Sequence, residues 1–284
     1  MARRRRQTGE EVIQKLIREG RGQSELDEYL PWLNVRDVPS RGRSSRHKGW
    51  KTRRVHHFFS KLEKKYHNTL EWSKIVIDIR EQYPLLPLEE TVDVAKQCGF
   101  DHPAIQNKQD SKKLEPIVMT TDFFITLMID GKRVERARTV KYADDLQSPR
   151  VLEKLEIERR YWEARGISWG IVTEHEIPNV LADNVENLYP YRYLDEDSRY
   201  SRRELYSAAT ALTQAMQGST LSLRHVALDC DAILGFDQGT CLSIAYFLIA
   251  NHHWEIDMYT PIQPGKHLDL KHVDLSKLVP GGSL

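Results

Sequence analysis

A chain of 284 residues suits one large domain or two modest ones with a sizeable core, and 40% hydrophobic with 29% charged residues mark an ordinary soluble protein. No apolar run approaches the roughly 20 residues that span a bilayer, and MARRRRQTGEE lacks the apolar segment of a secretory signal, so a cytoplasmic protein with no membrane association is expected. Three cysteines, Cys98, Cys230 and Cys241, are far apart and without CxxC spacing, which argues for a reducing compartment and against structural zinc or a disulfide framework.

The net charge of +1 hides an asymmetry, for residues 1–55 hold 15 Lys and Arg against 7 Asp and Glu. After a helix over roughly Glu10–Arg18, the Gly-, Ser- and Arg-rich stretch to residue 54 reads as a basic arm that orders on a partner. Arg3, Arg4, Arg5, Arg6, Arg41, Arg43, Arg46, Lys48, Lys51, Arg53 and Arg54 are its candidate phosphate contacts; a merely solvated tail is the alternative. Next, Val55, Phe58, Phe59, Leu62, Tyr66, Thr69 and Leu70 form an i, i+3, i+4 stripe that predicts a helix. Of His56 and His57 at its start, adjacent in sequence, only one can face a site, and capping or packing is favoured over metal binding.

A strand over Ile75–Ile79 is followed by Arg80, Glu81 and Gln82, which fit DNA or site contacts and a buried network equally well. A Pro-bounded connection, a helix and a polar loop lead to residue 116. Thr121–Ile129 alternates, Asp130-Gly131 is a hairpin turn signal, and Lys132–Lys141 returns. Ser148-Pro149 opens a long amphipathic helix stopped by Gly166, on which Glu153, Glu156, Arg159 and Arg160 read as a charged face. A short strand, SWGIVT, closes an α/β core: a mixed sheet flanked by helices.

Residues 185–201 read as a linker. Three helices near 202–217, 222–229 and 238–251, then two strands around Pro264-Gly265, predict a winged-helix domain. Residues 201–284 hold 6 Lys and Arg against 8 Asp and Glu. The candidate recognition helix, QGTCLSIAYFLIANHH, is nearly uncharged, and the helix before it ends in Asp229 and Asp231. A base-reading helix carries Arg, Lys, Asn or Gln, so this module is expected to dock protein. The division is then a basic arm at 1–54, an α/β domain at 55–184, a linker at 185–201 and a winged helix at 202–284.

The hairpin register places chemistry at one end. With Ile129 facing Lys132, Asp122 falls opposite Thr139, and Lys141 projects from the same face, diagonal to Asp122. The other face, with Phe123, Ile125, Leu127 and Val140, is mostly apolar. A surface salt bridge worth about 0–1 kcal/mol accounts for the same pair. Glu63 lies ~20° beyond the apolar edge of its helix and leans along the core-facing side, although its KLEKK setting also suits a solvated face.

The motifs RVHHFFSKLEKKYHNTLEW, VIDIREQYPLLP, TTDF, TVK and LEKLEIERRYW resemble, in order and spacing, the TnsA endonuclease family over roughly residues 15–180. The resemblance implies a restriction-endonuclease-type fold and a metal-dependent nuclease that cuts double-stranded DNA at transposon ends beside a separate RNase-H-like transposase. It puts the family's helical glutamate on Glu63, its strand aspartate on Asp122 and its catalytic lysine on Lys141. Mg²⁺, with Mn²⁺ as substitute, would be held by Glu63, Asp122 and the backbone carbonyl of Thr139. Thr139 stands where better-known members have glutamine, which puts side-chain positioning of a second metal or of the water in doubt. The family's C-terminal end is associated with an AAA+ regulator. A catalytically impaired assembly subunit and a stand-alone restriction or repair nuclease remain as alternatives.

Overall fold

The two-residue turn at Asp130-Gly131 sets the spine of the molecule. A computed structural model describes residues 10–37, 44–106, 114–196 and 200–279, which divide into a unit over 1–177 and a second over 178–284. The first unit holds α1 (Glu10–Arg18), β1 (Ser45–Lys48), β2 (Val55–Phe58), α2 (Lys61–Trp72), β3 (Val76–Pro84), α3 (Leu88–Cys98), β4 (Ala104–Gln106), β5 (Leu114–Pro116), β6 (Thr120–Ile129), β7 (Lys132–Val140), α4 (Pro149–Glu163) and β8 (Ser168–Val172). Asp130 and Gly131 both take positive φ, as a tight hairpin turn requires. The β6–β7 register runs from Ile129↔Lys132 to Phe123↔Arg138, as expected.

The main sheet has the order β3-β6-β7-β8. Its first three strands are antiparallel, and α4 makes the crossover to a parallel β8. Both faces of β6 are covered, which departs from the one-sided expectation. Phe123 packs against Phe58 and Tyr66 of the α2 side, while Phe124 stacks with Tyr83 and with Trp162 of α4. A mixed sheet between helices is consistent with a restriction-endonuclease-type fold.

The N-terminal part departs from expectation. No helix starts at Val55: residues 55–58 pair with β1, His47 facing His56, and α2 begins only at Lys61, where the Ser60 side chain accepts from the Glu63 N–H. Nor is the described part of residues 1–54 an extended arm. Tyr29, Trp32 and Leu33 are buried, Ile13, Leu16 and Ile17 pack against Trp32, Leu33 and Val118, and the Tyr29 hydroxyl donates to the Glu81 carbonyl. The apolar YLPWL stretch inside the basic segment supplies this anchor. Arg3, Arg4, Arg5, Arg6, Arg41 and Arg43 lie outside the described residues.

The second unit holds α5 (Asn179–Leu188), α6 (Arg202–Gln217), α7 (Leu223–Leu234), α8 (Thr240–Ala250), β9 (Trp254–Glu255) and β10 (His272–Val273). The segment expected as linker begins inside α5, where Val185 and Leu188 are buried. The two strands expected as a wing form only two pairs, His272↔Glu255 and Val273↔Trp254. Helix α8 is apolar for a reason other than docking: Cys241, Ile244, Ala245, Leu248 and Ile249 are wholly buried, so it is the core of this unit. Asp231 is likewise no surface charge, because its buried carboxylate accepts the Gly239 and Cys241 N–H groups at 2.7 Å each and caps α8. Among the described residues no helix is long and apolar enough to cross a membrane.

Candidate active site

At the open end of the β6–β7 hairpin the ladder stops after Phe123↔Arg138, and side chains take over the pairing. The Asp122 Oδ2 accepts the Val140 N–H at 2.8 Å and the Lys141 ammonium at 2.8 Å. The Lys141 Nζ also donates to the Val140 carbonyl at 2.9 Å. This pair is partly open, with Lys141 32% and Asp122 12% exposed at the side chain. It borders a cleft of about 330 Å³ lined by Met119, Thr120, Asp122, Thr139, Lys141 and Glu158 among others.

Thr139 does not present its side chain to Asp122. With the ladder broken, its hydroxyl turns to α4 and donates to Glu158 Oε1. The Thr121 hydroxyl donates to the same oxygen at 2.7 Å, and Trp162 Nε1 donates to Thr121 Oγ1 at 2.6 Å. Glu158 is thus a buried carboxyl at the cleft that sequence reasoning missed. Its signal was available: Leu155, Glu158, Tyr161 and Trp162 share the buried stripe of α4, and an acid inside an apolar stripe asks for a reason. The charged residues that sequence reasoning did single out on α4 pair within the helix, Arg159 and Arg160 both reaching Glu156.

Gln82 also joins the site. Its amide donates to Asp122 Oδ1 at a long 3.5 Å, and its oxygen accepts the Thr120 hydroxyl at 3.1 Å. It does so from a φ of +49° within β3, a costly backbone state for a residue with a Cβ. Its neighbours turn away. Arg80 bonds Thr126 and Glu135, and Glu81 pairs with Arg54 and His56. Arg54 is therefore removed from the candidate DNA contacts, since its guanidinium is buried against Glu81 and the Ile79 carbonyl. Of the other described basic candidates, Arg46, Lys48 and Arg53 are exposed, and the Lys51 Nζ donates to the Ser73 carbonyl.

Glu63 is buried and lies outside the cleft lining. Its carboxylate closes a cap on α2, accepting the Phe59 N–H at 2.9 Å and the Ser60 hydroxyl at 2.8 Å. Burial, and then the charge of Asp122, push its pKa up to about 7. The same two causes bring Glu158 to about 7. Burial works against the Lys141 ammonium, yet Asp122, with Glu158 and Glu63 behind it, holds its pKa above the ordinary lysine value. All three carboxyls thus act on the Lys141 ammonium, and the carboxylate donor set fits a hard divalent cation.

The chain matches a family profile described as "TnsA-like endonuclease N terminal" over residues 73–174, and one described as "TnsA endonuclease C terminal" over residues 176–258. It is 37% identical over 271 residues to "Transposon Tn7 transposition protein TnsA" of Escherichia coli, an alignment that covers 95% of this chain and 94% of that protein.

Proposed function

Because the chain belongs to the TnsA endonuclease family, we propose that it is the Mg²⁺-dependent nuclease subunit of a heteromeric transposase, nicking one DNA strand at each transposon end. The observation that carries this reading is the grouping of Asp122, Lys141 and Glu158 along one cleft, with Asp122 bonded to Lys141 and the buried Glu63 close enough behind the cleft wall for its charge to act on Lys141. A bound Mg²⁺ supplies Lewis-acid polarisation of the scissile phosphate and lowers the pKa of a coordinated water. Asp122 and Glu63 are the proposed metal ligands, with the Thr139 carbonyl beside them and Glu158 within the same cleft.

Lys141 works as a fixed positive charge. Its pKa is held up by Asp122, so it remains protonated at neutral pH and stabilises charge on the phosphoryl oxygens instead of taking a proton. A carboxyl poised near 7, as Glu158 is, can accept the proton of an attacking water. The loss of glutamine at position 139 is offset in this reading by Glu158, which Thr139 orients.

The partner is an RNase-H-like transposase acting on the other strand, and the DNA specificity is its own. The second unit is read as a winged-helix-like module for an AAA+ regulator. Its support is no longer α8 but α7, where Leu228 is 41% and Ile233 81% exposed. A catalytically impaired subunit is the second reading, favoured only by Thr139. A strand-specific cleavage assay with the cognate transposase and Mg²⁺, comparing wild type with Asp122→Ala and Lys141→Ala, separates them. Cleavage lost in both variants supports the nuclease, whereas a wild type that never cuts its strand in the assembled complex supports the impaired subunit.

A further inference from the structure

Helix α2 carries a second function-bearing face below Glu63. Glu63, His67 and Glu71 recur every four residues, so they lie one above another on the helix. His67 and Glu71 meet His56 of β2, and one ligand atom from each of the three lies within 4.8 Å of the others. All three side chains are buried, and His67 Nε2 is 3.2 Å from Glu71 Oε1. Tetrahedral zinc with nitrogen and oxygen ligands at about 2.0–2.1 Å has ligand-to-ligand edges of about 3.3 Å.

The surroundings orient each group as a ligand. His56 Nδ1 lies 2.7 Å from Glu81 Oε2, and since Arg54 keeps that carboxylate ionised, the ring proton is assigned to Nδ1. The lone pair of Nε2 then faces inward, 2.8 Å from Thr52 Oγ1. Burial drives the His56 pKa down to about 4, so the ring is neutral at physiological pH. Glu71 accepts the Trp50 and Lys51 N–H groups at 3.1 and 3.0 Å. A histidine whose second nitrogen is held by a carboxylate is the usual outer layer of a protein zinc centre. Gly49 completes the setting. A Cβ there would come 2.6 Å from His56 Nε2, 2.8 Å from Glu71 Oε1 and 2.8 Å from Thr52 Oγ1, so these polar atoms converge on space that only a glycine leaves.

We propose that His56, His67 and Glu71 bind a structural zinc ion, with the Thr52 hydroxyl at the fourth position. Two imidazoles and one carboxylate select zinc over Mg²⁺, and the site is independent of the three cysteines. The ion fastens the β1–β2 hairpin to α2 one helical turn from Glu63, so it steadies the helix that aims that carboxyl.

The test uses the full chain, dialysed against zinc, with metal content measured by elemental analysis. One zinc per chain is expected in wild type and in Asp122→Ala, and none in His67→Phe, which keeps a ring in the space. Co²⁺ in place of zinc should give the intense visible absorption of a tetrahedral site. A strong chelator should lower the thermal midpoint of wild type by about 10 °C and leave His67→Phe unmoved. Wild type without zinc after dialysis, or with a midpoint indifferent to chelator, overturns the proposal in favour of a network closed by hydrogen bonds. Zinc lost with Asp122→Ala but kept with His67→Phe overturns it too. If His67→Phe does not fold, the cobalt spectrum and the chelator response of wild type still decide.

Discussion

Helix α2 reaches into two buried carboxylate clusters that differ in sign of perturbation. Around Asp122 and Lys141, Glu63 and Glu158 are raised to about 7. In the closed cluster, Glu81 is held well below and Glu71 below the ordinary range. Burial is the largest influence on all four and raises every one, so burial does not separate them. Cations do. Glu81 has His56 and Arg54 against it, and Glu71 has His67 and two backbone N–H groups. Glu63, Asp122 and Glu158 all act on Lys141, which bonds Asp122, and the charge of Asp122 pushes the other two carboxyls further up. Carboxylates held ionised by close donors serve as fixed structural anions, whereas carboxyls raised toward neutrality are poised for a cation that restores their charge.

The largest effects should divide along that line. Asp122→Ala should cut strand cleavage by about 10³-fold or more and Lys141→Ala by about 10²-fold, while both keep a thermal midpoint within a few degrees of wild type. Arg54→Leu should do the reverse to the fold. It leaves Glu81 buried without its main cation, at a cost of about 3–5 kcal/mol, read as a midpoint lower by roughly 10 °C. Equal loss of stability in Asp122→Ala and Arg54→Leu would erase the distinction between the clusters.

The pH dependence of stability is the next test. A carboxyl with a pKa of about 7 when folded and 4.5 when free binds more protons in the native state over that range. Its contribution to stability is therefore greatest below pH 4.5 and is lost as pH rises through 7, by about 3 kcal/mol for one such group. Metal-free protein should melt lower at pH 8 than at pH 5.5, and Mg²⁺ or Mn²⁺ at pH 8 should restore most of the difference. Asp122→Asn should flatten the profile, because it removes the charge that adds to burial. Glu71 and Glu81 contribute the opposite slope, lost on acidification, so a profile that only falls toward low pH would mean that the closed cluster dominates.

What could be read in advance followed from local rules. Period-two alternation with an Asp-Gly turn fixes register, and register brings Lys141 to Asp122. The break after Phe123↔Arg138 obeys no local rule, which is why Thr139 was expected opposite Asp122 but points to Glu158. Glu158 is marked only by its place in the buried stripe of α4, next to a charged, solvated face. The stripe from Val55 to Leu70 satisfied helical spacing by coincidence, and only pairing with the distant β1 turns residues 55–58 into a strand. Helix α8 misled in the opposite way: its lack of charge reports burial among α6 and α7, a tertiary fact.

The smallest effect concerns Gln82, which stands between the clusters in sequence, one residue from Glu81, and belongs to the cleft. Its φ of +49° costs about 1–2 kcal/mol for a residue with a Cβ, and the return on that strain is a contact with Asp122. In a strand, Gly is ordinarily less stable than Ala by roughly 0.5–1 kcal/mol. At position 82 the order should invert: Gln82→Gly should melt above Gln82→Ala, because glycine adopts the left-handed backbone without penalty and alanine does not. Both should cut cleavage by about tenfold, since neither can orient the aspartate. If the variants cleave at wild-type rate, the strained backbone serves only the bend of β3, and Gln82 belongs with its structural neighbours instead of with Asp122.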